Sequence, residues 1–228
     1  MAVDGEAVTQ LGTKVDPDRV CITVDGRRVE PVEEKVYILL NKPVGYTSTR
    51  RDPHARHTVM ELLKGVDAYL YPVGRLDVDT SGFLILTNDG DFTKLLTHPS
   101  HQVDKTYVAV VQERITAHNL SRLERGVKIE DGTTAPASAR LISYSQSRDT
   151  STVEITIHEG RKRQVRRMFE AAGHEVIRLA RTRIGKLGLE GLQEGQFRHL
   201  TPKEVAELRK LAAPTGKEEN ARRGRGRR

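Results

Sequence analysis

The chain has 228 residues, of which 36% are hydrophobic and 30% are charged, and its net charge is +7. This length is enough for one main domain with its own hydrophobic core and a small appendage. The single cysteine, Cys21, excludes an intrachain disulfide, and no apolar run is long enough for a signal peptide or a membrane span. We therefore expect a soluble, cytoplasmic protein.

Positive charge is concentrated in two segments. Residues 160–183 contain eight Arg or Lys and two Glu, which gives +6, and residues 210–228 contain seven Arg or Lys and two Glu, which gives +5. The rest of the chain therefore carries −4, a distribution typical of a polyanion-binding surface. Residues 212–228 contain the string RRGRGRR and no apolar periodicity, so we predict a disordered basic tail that attracts RNA.

The predicted elements begin with a hairpin, because residues 20–24 alternate weakly between apolar and polar side chains and Asp25-Gly26 follows at the turn. Beyond residue 35, alternation predicts strands and helical spacing predicts helices. The strands are expected at 36–40, 83–87, 107–111, 137–142 and 153–157, and the helices near 59–63, 91–96, 117–126, 163–172 and 202–211. The two kinds of element do not alternate regularly, which favours an α+β fold over a Rossmann-type parallel sheet.

The helix expected at 163–172 has one apolar face and one basic face. Its apolar side chains recur at the spacing of a buried helix face, and three arginines, Arg163, Arg166 and Arg167, lie on the opposite face. Cations in a first helical turn oppose the helix dipole unless an anion is close to them. An RNA phosphate or the carboxylate of Asp77 would supply that anion.

Residues 73–90, VGRLDVDTSGFLILTNDG, place two aspartates and a small-residue turn directly before a strongly apolar run. Positions 1, 3, 5 and 6 of a calcium-binding loop would be Asp77, Asp79, Ser81 and Gly82. Such a loop needs a glutamate at position 12, where Asn88 stands. A magnesium-dependent phosphotransferase with an Asp-x-Asp motif would need a buried parallel strand before the pair, and residues 71–75 form a poor one.

A third interpretation needs no metal, and a resemblance to a known family supports it. The strings LLNKPVGY (39–46), GRLDVDTSGFLILTNDG (74–90), HPSHQVDKTYVAVV (98–111) and EGRKRQVRRMFEAAGHEVIRLARTRIGKL (159–187) resemble the successive motifs of the RsuA/RluB/RluE/RluF family of ribosomal RNA pseudouridine synthases. They occur in the family's order, and the match extends over about residues 36–211. Large-subunit members of the RluB type are the most similar.

This resemblance implies a fold, a reaction and a set of partners. The family has a pseudouridine synthase fold, an α+β fold with a largely antiparallel central sheet, flanking helices and a central catalytic cleft. Its members isomerise a uridine of folded RNA by breaking the glycosidic bond and rejoining the base through carbon 5, without a cofactor or metal. The implied partner is ribosomal RNA, of 23S type, or a ribosomal precursor particle. No membrane and no small-molecule cofactor are expected, and we expect a monomer.

The resemblance also assigns roles to individual residues. Asp77 matches the essential aspartate, acting either as the nucleophile at the anomeric carbon or as the base that removes a ribose proton. Tyr107 matches the tyrosine that stacks on the target base, and Arg166 matches the basic residue that pairs with the catalytic aspartate. Asp79 is expected to order the turn that follows. The candidates for contacts to the RNA backbone are Lys42, Arg75, Arg161, Lys162, Arg163 and Arg167.

The predicted domains are a partial S4-like RNA-binding module at 1–30, the catalytic domain at 36–211 and the tail at 212–228. The S4-type module normally begins with two helices, which have no counterpart in this sequence. Two other functions stay open: a non-catalytic RNA-binding or ribosome-assembly factor with the same fold, and the same reaction on 16S rRNA or tRNA. The pairs His54/His57 and His98/His101 lack further ligands nearby and are interpreted as loop histidines, so no metal site is predicted.

Overall fold

A computed structural model of the chain describes residues 1–10, 12–13, 15, 19–29 and 34–211. The chain divides into two compact units, Met1–Lys35 and Val36–Arg228. The tail predicted at 212–228 lies outside the described residues. No helix in the described part of the chain combines the length and the apolar character that crossing a bilayer requires.

The first unit contains a four-stranded antiparallel sheet of short strands in the order β2-β1-β3-β4. They are β1 (Ala2–Val3), β2 (Glu6–Ala7), β3 (Ile22–Val24) and β4 (Arg27–Val29). The predicted hairpin is present, with Asp25 and Gly26 at positive φ values of 51° and 75°, as a type I′ turn requires. A second Asp-Gly turn joins β1 to β2 and carries the same sequence signal. The relation of this unit to an S4 module stays a prediction.

The second unit is built around one large sheet. Its strands are β5 (Tyr37–Lys42), β6 (Tyr71–Pro72), β7 (Ser81–Thr87), β8 (Lys105–Gln112), β11 (Ser138–Ser145), β12 (Thr150–Ile157), β13 (Val176–Ile184), β14 (Leu187–Gly188) and β15 (Phe197–His199). The order is β11-β12-β8-β13-β7-β5-β15, with β14 paired to β13 and β6 to β7. Only the pairing of β7 with β13 is parallel, so the predicted antiparallel character of the sheet is confirmed. A separate hairpin consists of β9 (Lys128–Ile129) and β10 (Gly132–Thr133).

Four α-helices accompany the sheet: α1 (Gly90–Thr97), α2 (Ala117–Arg125), α3 (Gln164–Ala171) and α4 (Pro202–Leu211). Helix α1 begins after Asp89, whose side chain accepts a hydrogen bond from the backbone N–H of Phe92, the usual role of an N-cap aspartate. Thr116 caps α2 in the same way. The helix predicted near 59–63 is a short 3-10 turn, Val59–Leu62, and a second such turn spans Pro99–His101.

The central strands carry core residues on both faces of the sheet. All seven residues of β7 are buried, which fits a strand covered on both sides. Leu84 and Leu86 pack in one hydrophobic cluster with Phe169 of α3, whereas Phe83 and Ile85 pack in a second cluster with α1 and α4. The side chains of β7 therefore alternate between two cores. The strand begins directly after residues 76–80, which we call the Asp77 loop.

The sequence analysis did not predict β13, a nine-residue strand in the middle of the sheet. Arginines at 178, 181 and 183 interrupt its apolar alternation. Arg181 lines a polar cleft, described next, whereas Arg178 and Arg183 are exposed and do not line it.

Candidate active site

A cleft of about 380 Å³ opens beside the segment that connects β6 to β7. Five parts of the second unit line it: that connection, the end of α1 with the turn after it, β8, the segment from the end of β12 to the start of α3, and β13. The predicted residues that line it are Arg75, Asp77, Tyr107, Arg161, Lys162 and Arg163. Three other predicted residues, Lys42, Arg166 and Arg167, do not line it.

Lys42, at the end of β5, is fully buried. Its Nζ donates hydrogen bonds to the backbone carbonyls of Thr80 at 2.8 Å, Pro43 at 3.0 Å and Asp77 at 3.2 Å. Burial lowers its pKa to about 8 although the nearby aspartates act in the opposite direction. The prediction that Lys42 contacts the RNA backbone is therefore wrong, because a side chain without exposed surface that is saturated by three carbonyls cannot reach a phosphate.

Two residues from the segment after β5 also hold the Asp77 loop. The backbone N–H of Gly45 donates to the carbonyl of Val78 at 2.8 Å. The hydroxyl of Ser48 donates to the carbonyl of Leu76 at 2.9 Å and accepts from the N–H of the same residue at 3.1 Å. Together with the bonds from Lys42, these contacts satisfy four of the five carbonyls at 76–80.

Arg166 supplies the fifth bond. Its Nη2 donates to the carbonyl of Asp79 at 2.7 Å, and its Nη1 donates to the carbonyl of Val176 at 3.0 Å. Its Nε lies 3.3 Å from Oδ2 of Asp79. The predicted ion pair of Arg166 with Asp77 is therefore not the one in the structure, since the loop turns the carboxylate of Asp79 toward α3 and leaves Asp77 on the cleft side.

Asp77 and Asp79 have different surroundings although they are two residues apart. Arg163 donates two parallel hydrogen bonds of 3.0 Å to the carboxylate of Asp79, whereas its closest approach to the carboxylate of Asp77 is 4.0 Å. Burial opposes ionisation of Asp79, but the hydrogen bonds and charges of Arg163 and Arg166 outweigh it and lower its pKa. Asp79 thus supplies the anion that the start of α3 was expected to need, and Asp77 faces the cleft, where its nearest cation among the described residues is Arg163 at 4.0 Å.

Arg163 occupies the N-cap position of α3 with a positive φ of 51°. This left-handed conformation is uncommon for residues other than glycine. Its side chain is 43% exposed, so its outer edge remains open to solvent. The pair with Asp79 joins the start of α3 to the Asp77 loop across 84 residues of sequence.

The other basic residues predicted to contact RNA fall into two groups. Arg161 donates to the carbonyls of Asp131 and Thr133 and pairs with Glu159 at 3.2 Å, and Arg167 pairs with Asp131 at 2.5 Å. Arg75 and Lys162, by contrast, are exposed at the cleft. Within residues 34–211 neither of them forms an ion pair, so both are available to a phosphate.

Tyr107 lies on β8 in the wall of the cleft and is 9% exposed. Its neighbour across the strand pair is Arg181 of β13. The sequence analysis quoted Arg181 within a motif but gave it no role. It is 3% exposed, its Nε donates to the carbonyl of Phe83 at 2.8 Å, and its Nη2 is buried without a hydrogen-bond partner among the described residues. The sequence signal for its role was weak, because Arg181 is one of three arginines in this strand.

Gly82 allows β13 to lie against the start of β7. Its φ is +107°, and a Cβ placed there would lie 2.1 Å from the carbonyl oxygen of Arg181. No side chain fits in that space. The glycine of the Thr-Ser-Gly turn therefore serves the close approach of two backbones, and this approach brings Arg181 beside the Asp77 loop.

Residues 36–171 match the protein family described as RNA pseudouridylate synthase. The chain belongs to this family. Its fold and reaction class, predicted from the motifs, are thereby confirmed: it is an RNA pseudouridine synthase with an α+β fold.

Similar proteins cover nearly the whole chain. Ribosomal large subunit pseudouridine synthase B of Bacillus subtilis is 51% identical over 92% of this chain and 85% of its own length. Ribosomal small subunit pseudouridine synthase A of Salmonella typhimurium is 35% identical over 91% of this chain and 88% of its own length. A solved structure, the crystal structure of a pseudouridylate synthase, is 31% identical with a TM-score of 0.71, covering 91% of this chain and 87% of that one.

Among the described residues, no group of three or more His, Cys, Asp and Glu side chains is arranged to hold a metal ion. The ring centres of His98 and His101 lie 5.6 Å apart, and the rings are tilted by 48° to one another.

Proposed function

We propose that this synthase converts a uridine of large-subunit ribosomal RNA to pseudouridine, with Asp77 as the acting carboxylate. The large-subunit assignment is supported by the higher identity to the Bacillus subtilis relative than to the small-subunit relative. Reaction on 16S rRNA or tRNA is the alternative substrate.

The observation that carries the proposal is the contrast between a fixed backbone and an open carboxylate at Asp77. All five carbonyls at 76–80 accept hydrogen bonds from other parts of the unit. The Asp77 carboxylate nevertheless lines the cleft with no cation closer than 4.0 Å among the described residues. A rigid support with a reactive group left free is the arrangement that a nucleophile or base needs, because preorganisation lowers the cost of reaching the transition state.

The reaction requires the target base to leave its stack and enter the cleft. Tyr107 would stack on the flipped base, as an aromatic wall does for single-stranded bases. Asp77 would then attack C1′ or remove the 2′ proton as the bond between C1′ and N1 breaks. In the first case the carboxylate leaves C1′ when C5 bonds there, and in the second the proton returns to C2′ at that step. The freed uracil would turn and rejoin C1′ through C5, and the proton that leaves C5 would balance the one that N1 gains.

Arg166 acts through the loop in this proposal, as a positioning residue. It holds the carbonyl and the carboxylate of Asp79, and thereby the backbone on which Asp77 is mounted. Arg75 and Lys162, which are exposed, would meet RNA phosphates directly, and Arg163 has an exposed edge for the same purpose. Arg161 and Arg167 already bind acceptors of the protein, so an RNA phosphate would have to compete with these acceptors for the two arginines.

The partner in this proposal is ribosomal RNA or a precursor particle. The cytoplasmic location, the monomeric state and the lack of a cofactor stay predictions from the sequence. An assembly factor that binds RNA without modifying it is the competing function.

Mapping of pseudouridine on isolated RNAs tests the proposal. Full-length protein is incubated separately with 23S rRNA, 16S rRNA and tRNA that lack the modification, and carbodiimide adducts are located by primer extension. We expect one new stop in 23S rRNA, and none with Asp77→Asn. A stop only in 16S rRNA or tRNA would refute the substrate assignment, and binding without any stop would favour the assembly factor.

A further inference from the structure

The floor of the cleft carries two cationic side chains, Arg181 and Lys105, that the steps above do not use. Lys105 and Tyr107 are two residues apart on β8, so their side chains leave the same face of the strand. Arg181 is the cross-strand neighbour of Tyr107, and Lys105 faces Ile184 on the same pair of strands. All four residues line the cleft.

Neither cation has a carboxylate partner at ion-pair distance in the part of the chain that the structure describes. Nη2 of Arg181 is buried without a partner in the described part of the chain, and Nζ of Lys105 donates to the carbonyl of Val103 at 2.9 Å. Within residues 34–211 neither side chain forms an ion pair with a carboxylate. A buried cation without a counter-charge is unfavourable, and a buried polar atom without a partner calls for an explanation such as a ligand.

The two cations also act on each other. Burial, and after it the positive charge of Arg181, lowers the pKa of Lys105 to about 8, while Asp104 opposes the shift. The floor of the cleft therefore holds two positive charges, those of Arg181 and Lys105, close together and poorly hydrated. An anion entering there would relieve both the desolvation and the repulsion.

The depth of Arg181 decides which part of an RNA reaches it. At 3% exposure it lies at the level of Tyr107, where the flipped base would stack. The cations that are open to solvent, such as Arg75 and Lys162, lie where the ribose-phosphate chain would cross the mouth of the cleft. Arg181, with the half-buried Lys105 beside it, therefore meets the base, whereas the exposed cations meet phosphates.

We propose that Arg181, assisted by Lys105, binds the carbonyl oxygens of the target uracil and stabilises the uracil anion released when the glycosidic bond breaks. This inference rests on the proposed isomerase function. When the bond between C1′ and N1 breaks, its electron pair stays on the uracil and spreads over N1, O2 and O4. The charge is present whether Asp77 acts as nucleophile or as base, and it disappears when C5 bonds to C1′ and the C5 proton is passed to N1. A positioned cation is most effective where such charge develops.

The test uses two free bases as probes of the intact protein. Uracil is neutral at pH 7, and 5-nitrouracil is an anion at the same pH, so the ratio of their dissociation constants reports anion recognition. We expect wild type to bind 5-nitrouracil at least about 10-fold more tightly than uracil, the scale of a charge-assisted hydrogen bond. Titration with absorbance detection measures both.

Two substitutions locate the effect. Arg181→Gln keeps a donor for the carbonyl of Phe83 and removes the charge, so the preference should fall to about twofold or less. Arg178→Gln is the matched control, since Arg178 lies on the same strand but is exposed and outside the cleft. In single turnover on RNA, Arg181→Gln should slow the reaction by about 10²- to 10³-fold with little change in RNA affinity.

Each outcome is decisive. An unchanged preference in folded Arg181→Gln overturns the proposal, as does competition by inorganic phosphate at concentrations equal to those of 5-nitrouracil, which would show a phosphate subsite. If Arg181→Gln does not fold, Lys105→Gln decides in the same assay, and it must lower the preference. Pseudouridine formation without anion preference refutes the role of Arg181 alone, whereas anion preference without pseudouridine in any RNA refutes the proposed function.

Discussion

The protein neutralises two pairs of cations differently: the rim arginines, Arg163 and Arg167, and the floor cations, Arg181 and Lys105. The rim arginines are held by carboxylates of Asp79 and Asp131, unlike Arg75 and Lys162, which are exposed at the cleft without an ion pair within residues 34–211. At the floor, Arg181 and Lys105 have no carboxylate partner among residues 34–211, and burial is the main cause of the low pKa of Lys105. The rim arginines therefore stabilise the fold and orient loops, whereas the floor cations add little to stability and are retained where a ligand would use them.

The two aspartates of the loop show the same division. Asp79 belongs to the rim network, and its pKa is lowered by Arg163 and Arg166 against the effect of burial. Asp77 has no comparable partner. Structural carboxylates are neutralised by the protein, and the proposed reactive one is left open. The following changes break or sharpen this contrast, beginning with the largest expected effect.

Asp77→Asn should abolish isomerisation, with a loss of at least about 10³-fold, because shape is kept and the ionised oxygen is removed. Folding and RNA affinity should stay nearly intact. Asp79→Asn is the matched variant and should keep activity within about 10-fold while lowering the melting temperature, because it loosens an exposed ion pair. Single-turnover rates and thermal unfolding measure both, and the reverse pattern would identify Asp79 as the acting residue.

Gly82→Ala should destabilise the second unit by about 3 kcal/mol or more, since the new methyl group would overlap the backbone of Arg181. Gly173→Ala separates this clash from simple backbone strain: its φ is also positive, +93°, but nothing lies within 4 Å of the added atom. That control should cost about 1 kcal/mol. Urea unfolding followed by circular dichroism gives both values, and equal losses would mean that the close approach of β7 and β13 is unimportant.

Lys42→Met should lower the turnover number by about 10- to 100-fold, because the loop that carries Asp77 loses two of its bonds, those to the carbonyls of Asp77 and Thr80, and a small displacement of a reacting group is costly. The Michaelis constant for RNA should change little, since Lys42 is buried and does not reach the RNA. Lys203→Met, an exposed lysine on α4, is the control for loss of one charge. A large rise of the Michaelis constant in Lys42→Met would restore the original assignment of this lysine to RNA contact.

A pH series gives the smallest effect. The pKa of Lys105 is about 8 in the folded protein against a usual 10.5, so between these values the unfolded chain binds more protons. Wild type should therefore gain stability relative to Lys105→Met as the pH rises from 8 to 10.5. Denaturant unfolding of the two proteins at several pH values measures the difference, and a flat difference would mean that Lys105 is solvated.

Much of the fold could be predicted because it depends on local periodicity. The apolar run of β7, the buried face of α3 and the Asp-Gly turn of β3 and β4 are each specified by residues adjacent in sequence. The strand β13 was missed because its three arginines mask the apolar alternation, and only the fold shows that Arg181 among them is buried in the wall of the cleft. Arg181 is buried because β13 pairs with both β7 and β8. These three strands are far apart in sequence, so no local pattern reveals the burial.

The candidate site was predictable in composition but not in pairing. Motif resemblance selected Asp77, Tyr107 and Arg166, and two of these three line the cleft. The choice of Asp79 as partner of Arg166 depends on the direction in which a fixed loop turns its two carboxylates. Similarly, the sequence presents Lys42 as one more basic residue that could contact RNA. Only the fold shows that its amino group is enclosed by three carbonyls.

The hydrogen bonds that hold the carbonyls at 76–80 come from residues both earlier and later in the sequence. Lys42 and Ser48 precede the loop, whereas Arg166 follows it by 87 residues. A ribosome synthesising this protein therefore releases the Asp77 segment long before the residue that completes its support. Contacts of such sequence separation form late in folding. On the proposed role of Asp77, we expect the nascent chain to gain activity only after α3 has been made and docked.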